Sequence, residues 1–279
     1  MSKEINTKNL NCDENSVKMM DSMFTSPYKR IVDKSKIPVC TILGVDVAAV
    51  NMEWTLDYFN KHIKDLSGDY VCVSNVHTTV TSYEDSEYCA IQNGGIMALP
   101  DGGPLSMIGR KRGHKNMERV TGPSLMGEIF NDSVKNGYKH FFYGSTEETL
   151  EKLQDKLQGN YQNIQIVGIY SPPFRPITEK EDEIIVKMIN NTNPDFIWVG
   201  LGAPKQEKWM SMHQGKLKGL MFGIGAGFDY YAENIKRAPK WMQNYNLEWL
   251  YRLIQDPKRL FKRYLITNTK FLKLIISGK

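Results

Sequence analysis

The triplet Asp101-Gly102-Gly103 closes a short apolar run at residues 95–99. If that run is a strand, the carboxylate stands at its end with little side chain around it. There it can take a proton from a substrate hydroxyl. The same residues also spell an ordinary Asp-Gly turn. Asn75, His77, Thr78 and Thr79 follow a second apolar run, residues 70–73. Amide, imidazole and hydroxyl groups at such a junction can orient a sugar or a phosphate, or they can cap a helix. Arg119, in Glu118-Arg119-Val120-Thr121-Gly122, offers a forked cation for a phosphate, or a partner for a structural carboxylate. In residues 194–210, the run 196–199 is broken by Gly200 and Gly202 ahead of Pro204 and Gln206. Strand, glycine turn and helix start leave backbone N–H groups and the positive end of a helix dipole facing a ligand. Residues 200–206 are therefore expected to wall a pocket for an anionic or polar ligand, with a plain strand-to-helix turn as the alternative.

Several motifs are missing. The chain has no Asp-x-Asp for a cation on a nucleotide-sugar, no phosphate loop ending in GKS or GKT, and no HExxH. Gly223-x-Gly225-x-Gly227 lacks the full dinucleotide fingerprint and comes late, so NAD is not expected. No spacing supports a metal site, and no cofactor is expected. Cys12, Cys40, Cys72 and Cys89 form no CxxC pair; Cys40 and Cys72 sit in strand-like runs and read as reduced core residues.

The elements that must position these groups alternate in type. Strand patterns fall at 39–50, 70–73, 95–99, 139–143, 165–169, 196–199 and 220–224. Helices are expected at 52–63, from about 78, at 118–136, 146–157, 179–190 and 205–212. Short apolar runs without polar alternation suit strands covered on both faces. The expected fold is α/β: a Rossmann-like, mostly parallel sheet with helices on both faces, over residues 37–234. Residues 1–36 are polar and read as a variable extension. Residues 235–279 read as basic helices, with starts near Arg237-Ala238-Pro239 and Asp256-Pro257.

Charge is unevenly distributed. Residues 235–279 carry eleven Lys/Arg against Glu248 and Asp256, a surplus of nine, which leaves the first 234 residues at −4 of the chain's net +5. Tyr245, Trp249, Tyr251, Phe261, Tyr264 and Phe271 interleave with those cations. A basic, aromatic tail suits phosphates on a membrane or on nucleic acid. The start of the chain shows no secretory signal, and no apolar run reaches the roughly 18 residues that span a bilayer. A cytoplasmic protein is expected.

Seven stretches in order resemble one family. They are Asn75–Thr79, Pro100-Asp101-Gly102, Glu118–Gly122, Tyr170-Ser171-Pro172-Pro173-Phe174-Arg175-Pro176, residues 194–210, Gly225–Asp229, and Arg237 through Leu253. Together they resemble the bacterial WecB/TagA/CpsF glycosyltransferases, glycosyltransferase family 26, over residues 37–279. The resemblance implies an inverting, metal-independent transfer from a UDP-sugar to a polyprenyl-diphosphate-linked sugar, in cell-surface polysaccharide synthesis. It also implies a C-terminal appendage, residues 235–279, docked peripherally on the inner face of the plasma membrane. By resemblance Asp101 is the base, with Asn75, His77 and Thr78 beside the reacting groups. Gly144, Tyr170, Gly200, Gly202, Gln206, Gly225 and Asp229 fall on the donor side. Arg119, Arg237, Arg252, Arg259 and Arg263 fall on the acceptor diphosphate, with Lys262 and Arg263 sharing one expected arginine position. Val73 stands where the family often has a threonine. No nucleic-acid partner is implied, a homo-oligomer is left open, and the donor sugar is not specified. The rival class is a non-catalytic or nucleic-acid-binding α/β protein, whose affinity would fall steeply with salt.

Overall fold

A computed structural model of the chain describes residues 28–278. Residues 1–27, most of the extension read from the sequence, lie outside the described residues. Within residues 28–36, Arg30 forms an ion pair with Asp69 at 2.5 Å and donates to the Gly94 carbonyl. Lys34 donates to the carbonyls of Asn93 and Gly95. This part of the expected extension is thus bonded to the α/β body.

Eight strands form one sheet: β1 (Val39–Ile42), β2 (Val45–Ala48), β3 (Tyr70–Ser74), β4 (Met97–Pro100), β5 (Lys139–Gly144), β6 (Gln165–Tyr170), β7 (Phe196–Gly200) and β8 (Leu220–Gly223). Their order is β1-β2-β4-β3-β8-β7-β5-β6. Only the β1–β2 pair is antiparallel. Residues 39–50, read as one strand pattern, are a tight hairpin turning at Leu43-Gly44, both at positive φ. The central strands β3, β4 and β8 are buried at every position, as uninterrupted apolar runs require. Strand order reverses between β3 and β8. All the parallel strands deliver their carboxyl ends to one edge, and the crevice there is where open α/β sheets bind ligands.

Helices α1 (Met52–His62), α2 (Val76–Glu84), α3 (Ser86–Gly94), α4 (Gly103–Lys111), α5 (Gly122–Asn136), α6 (Glu147–Asn160), α7 (Glu179–Thr192), α8 (Lys205–Met212) and α9 (Gly227–Tyr231) make the connections. The helix expected from 118 begins four residues later. Residues 118–120 lie outside any helix: Glu118 N–H bonds the Val50 carbonyl and Val120 N–H bonds that of Pro100. Thr121 then caps α5 by accepting from Ser124 N–H. Helices α3 and α4 were not expected. Both are short, and α4 opens on glycine and proline, which read as a loop when seen alone.

The core lies on both faces of the sheet, with Phe130, Phe142, Trp198 and Phe222 on one side and Tyr70, Tyr143, Ile197 and Met210 on the other. A hydrogen-bonded polar chain runs through it. Trp198 Nε1–H donates to His140 Nδ1 at 3.1 Å, so Nε2 carries the proton and donates to Ser133 Oγ at 2.9 Å. Desolvation pushes the His140 pKa down to about 3, which keeps the ring neutral.

The appendage comprises α10 (Lys240–Asn244), α11 (Glu248–Gln255) and α12 (Pro257–Ile276). It folds back on the α/β body. Leu260 and Phe271 are buried, and Lys270 pairs with Glu84 of α2. At Gly103 a Cβ would stand 2.5 Å from the Asn246 side chain, so the turn between α10 and α11 rests directly on the start of α4. Its other face is apolar and open: Ile254, Phe261, Leu265 and Ile276 are all more than half exposed. Among the described residues no helix is long and apolar enough to cross a membrane.

Candidate active site

A cleft of about 580 Å³ opens over the carboxyl ends of β4, β3, β8 and β7, roofed by α11 and α12. Each strand contributes the residues that follow it: Asp101 after β4, Asn75 and His77 after β3, Gly225 after β8, and Gly202 and Gln206 after β7. The appendage contributes Glu248, Arg252, Arg259 and Arg263. Asp101 and Gln206, predicted from distant parts of the sequence, therefore share one cavity.

Asp101 is fixed through its backbone. Its N–H continues the ladder to the Ser74 carbonyl at 2.8 Å, and its own carbonyl accepts from Arg119 Nε at 2.7 Å. No described residue hydrogen-bonds its carboxylate. Desolvation pushes the carboxyl pKa up from 3.8 to about 6; Glu248 adds to the rise, and Arg119, Arg252 and Arg237 oppose it. Such a group is ionised at neutral pH yet basic enough to accept a proton.

The turn after β3 caps α2. Asn75 Oδ1 accepts from the N–H groups of His77 and Thr78, and Thr78 Oγ1 accepts from Asn75 N–H at 2.9 Å. The Thr78 hydroxyl also donates to the Asn75 carbonyl and is buried, so capping occupies it fully. Thr79 Oγ1 likewise donates to the Asn75 carbonyl. The Asn75 amide nitrogen has no partner among the described residues and is available to the cleft. His77 Nδ1 is buried without a hydrogen-bond partner. Desolvation, with Arg263 nearby, lowers the His77 pKa against the pull of Glu84.

Gln206 acts as a clamp. Its Oε1 accepts from Gly202 N–H at 3.1 Å and from Gly225 N–H at 2.9 Å, joining the loops after β7 and β8. Its Nε2 donates to Glu207 Oε1 at 2.8 Å, which fixes which way the amide faces. Glu207 is a buried carboxylate with Oε2 unpartnered, and desolvation raises its pKa. The sequence flagged Gln206 as a ligand contact. Its amide oxygen is spent on the backbone, so one N–H is left for a ligand. Glu207 was missed; its signal was an acid directly after Gln206 at the start of an expected helix.

The five arginines separate into distinct settings. Arg252 and Arg263 have no carboxylate within ion-pair distance among the described residues. Arg252 lies over the Tyr230 ring at 5.7 Å, and Arg263 Nε is buried without a hydrogen-bond partner. Arg259 pairs with Asp256 at 2.5 Å on an exposed edge. Arg119 Nη2 meets Glu248 Oε2 at 2.6 Å. Arg237 does not line the cleft; it donates to Ser124 Oγ at 2.6 Å and stands 3.7 Å from Glu248. Of the Lys262–Arg263 pair, Arg263 faces the cleft and Lys262 is exposed.

Gly144, Tyr170, Gly200 and Asp229 do not line the cleft either. A Cβ at Gly144 would come within 2.7 Å of the Gly200 carbonyl oxygen, so Gly144 lets β5 close on β7, while a Cβ at Gly200 would stand 2.6 Å from the Phe228 ring. Tyr170 stacks on Tyr143 at the edge of the sheet. Asp229 accepts from Asn234 at 3.3 Å, one residue before Tyr230, which does line the cleft. Val73 forms part of the apolar floor. Among the described residues no group of three or more His, Cys, Asp or Glu side chains could hold a metal ion.

The family description of WecG/TagA/CpsF glycosyl transferases matches residues 40–279. A Bacillus subtilis (strain 168) protein named N-acetylglucosaminyldiphosphoundecaprenol N-acetyl-beta-D-mannosaminyltransferase is 31% identical over 227 residues, covering 81% of this chain and 86% of the relative. A Staphylococcus aureus (strain MW2) protein of the same name is 28% identical over 233 residues, covering 82% and 90%.

Proposed function

Because the chain belongs to the WecG/TagA/CpsF glycosyltransferase family, we propose that it moves a hexosyl group from a UDP-sugar to a sugar carried on a polyprenyl diphosphate. The single observation that carries this is the unpartnered Asp101 carboxylate in one cleft with Arg252 and Arg263. Asp101 takes the proton of the acceptor hydroxyl. The freed oxygen bonds to the anomeric carbon of the donor, and the bond from that carbon to the diphosphate oxygen breaks. Its electron pair leaves with UDP. The relatives' names specify a β-linked product. From an α-linked nucleotide donor that outcome needs one displacement with inversion, which a single base serves.

Charge in the transfer is met by the chain's own groups, and no metal is required. Arg252 and Arg263 suit the acceptor diphosphate, each offering a fork not already held by a carboxylate. The N-terminal turns of α2 and α8 open on the cleft and suit the negative charge that develops on the leaving group. The exposed apolar residues of α11 and α12, with Lys258, Lys262 and Lys273 among them, suit peripheral docking on the inner face of the membrane. An acceptor headgroup held in that membrane would then meet the cleft from the appendage side.

The test is Asp101→Asn, assayed with UDP-N-acetylmannosamine and a short-chain polyprenyl-diphosphate-linked N-acetylglucosamine. Loss of a general base lowers turnover by roughly 10² to 10⁴. Transfer within a few-fold of wild type, at equal folding, would remove the base role. Other UDP-sugars screened against the same acceptor then identify the donor.

A further inference from the structure

Three of the four charged groups around Asp101 come from beyond residue 235: Glu248, Arg252 and Arg237. The fourth, Arg119, belongs to the α/β body and, among the described residues, is the only cation bonded to Asp101 itself, through the backbone carbonyl. Its guanidinium has one arm on that carbonyl and the other on Glu248, at 2.7 and 2.6 Å. Glu248 is itself nearly buried, with its second oxygen 3.7 Å from Arg237 Nε. A buried arginine fork takes the nearest carboxylate available. Without Glu248, that carboxylate belongs to Asp101, whose own backbone already tethers the fork.

We infer that Glu248 is a positioning residue for the transfer: it holds the Arg119 guanidinium on the appendage and off the Asp101 side chain, keeping the base unpaired. The role rests on the base assignment of Asp101. It gives the appendage a part in the chemistry separate from lipid contact, since docking of α11 delivers the carboxylate that occupies Arg119. It also accounts for an acid at the start of an otherwise basic segment. Were α11 to lift away, Arg119 would pair with Asp101 and hold the base protected until the appendage returned.

The test is the pH profile of kcat/KM for the full chain, with the same donor and acceptor. The groups facing Asp101 are Arg119, Glu248, Arg252, Arg237 and the Tyr230 hydroxyl. In Glu248→Gln the fork turns to Asp101, and an Arg⁺ beside a carboxylate lowers its pKa by about one to three units. The acid limb is expected to move down by about one pH unit or more, and the plateau to fall at least about tenfold as the base weakens. In an Arg119→Gln background the same Glu248→Gln change should move the limb down by clearly less, leaving only the direct loss of the Glu248 charge that raises the Asp101 pKa. A limb that stays in place or moves up in Glu248→Gln overturns the inference, as does an equal downward shift in both backgrounds. Should Glu248→Gln fail to fold by its thermal melt, Glu248→Asp carries the same test. Its shorter arm loosens the fork while keeping the charge, so a smaller downward shift is expected and an unmoved limb counts against the inference. Asp101→Asn separates the two failures. If it abolishes transfer while the limb ignores Glu248, the base stands and only the positioning role falls.

Discussion

Replacing Asp101 by asparagine should destroy transfer and at the same time stabilise the fold. The carboxyl is held up from 3.8 to about 6 by burial first and Glu248 second. Between those two values the folded state keeps a proton that the unfolded chain has released. The residue's contribution to stability is therefore whole below pH 3.8 and is lost as the pH rises through 6. A shift of about two units amounts to about 3 kcal/mol at most, the cost of ionising this carboxylate in its native setting. Asparagine keeps the shape and never ionises. At pH 7.5 the variant should be about 1–3 kcal/mol more stable than wild type in urea unfolding, with the difference closing at pH 4. Wild-type kcat/KM should climb with unit slope to about pH 6 and then level, standing about tenfold below its plateau at pH 5. An acid limb near pH 4, or an asparagine variant no more stable than wild type at pH 7.5, would refute the buried-base account even if activity were lost.

Other consequences follow from the surroundings. Arg252→Ala and Arg263→Ala each remove a charged hydrogen bond worth about 1.5–3 kcal/mol, so acceptor KM should rise about ten- to hundredfold; because Arg252 lowers the Asp101 pKa, only Arg252→Ala should also move the acid limb upward. Phe261→Glu with Leu265→Glu, both outward on α12, should abolish flotation with anionic vesicles while leaving the thermal melt within a few degrees of wild type; flotation retained would dissociate the apolar face from membrane docking. His140 is neutral in the core with its pKa near 3, whereas an unfolded histidine charges near 6.5, so stability should fall as the pH drops through 6.5 towards 3. Chemical denaturation of His140→Gln across that range should show a flatter decline, and an unchanged slope would assign it to other groups.

Much of the sheet was legible because parallel strands buried on both faces leave unbroken apolar runs, and glycine breaks mark their carboxyl ends. That logic places Asp101, Asn75, Gly202 and Gly225 on one edge, and all four line the cleft there. It failed where a residue type serves two purposes. Thr78 reads equally as a ligand group and as a cap, and its hydroxyl is spent on the cap. Gly144 and Gly200 read as ligand turns, yet Gly144 is small because two strands meet there and Gly200 because the Phe228 ring packs against it. Gln206 is in the cleft as expected, but as the bolt between two loops, a role set by hydrogen bonds to Gly202 and Gly225. No local pattern announces a bond to a residue 19 positions away.

The least legible feature is the one that joins the two parts of the chain. Arg119 and Glu248 are 129 residues apart, and neither stands in a motif that asks for the other. Composition marks the appendage only as a basic, aromatic segment suited to phosphates. Its charges fall into two populations. The lysines at 258, 262 and 273 are exposed, while Glu248, Arg252 and Arg263 line the cleft. A surface used only for anchorage has no need to bury an acid against an arginine of the body, since desolvating such a pair offsets most of its attraction. The pair is better accounted for by what it prevents. An isolated body would leave Arg119 beside Asp101 with nothing else to hold, and the base would be neutralised by its own neighbour. On this view the appendage brings the lipid headgroup and the condition for reaction together, so that the cleft becomes competent only when its roof is in place.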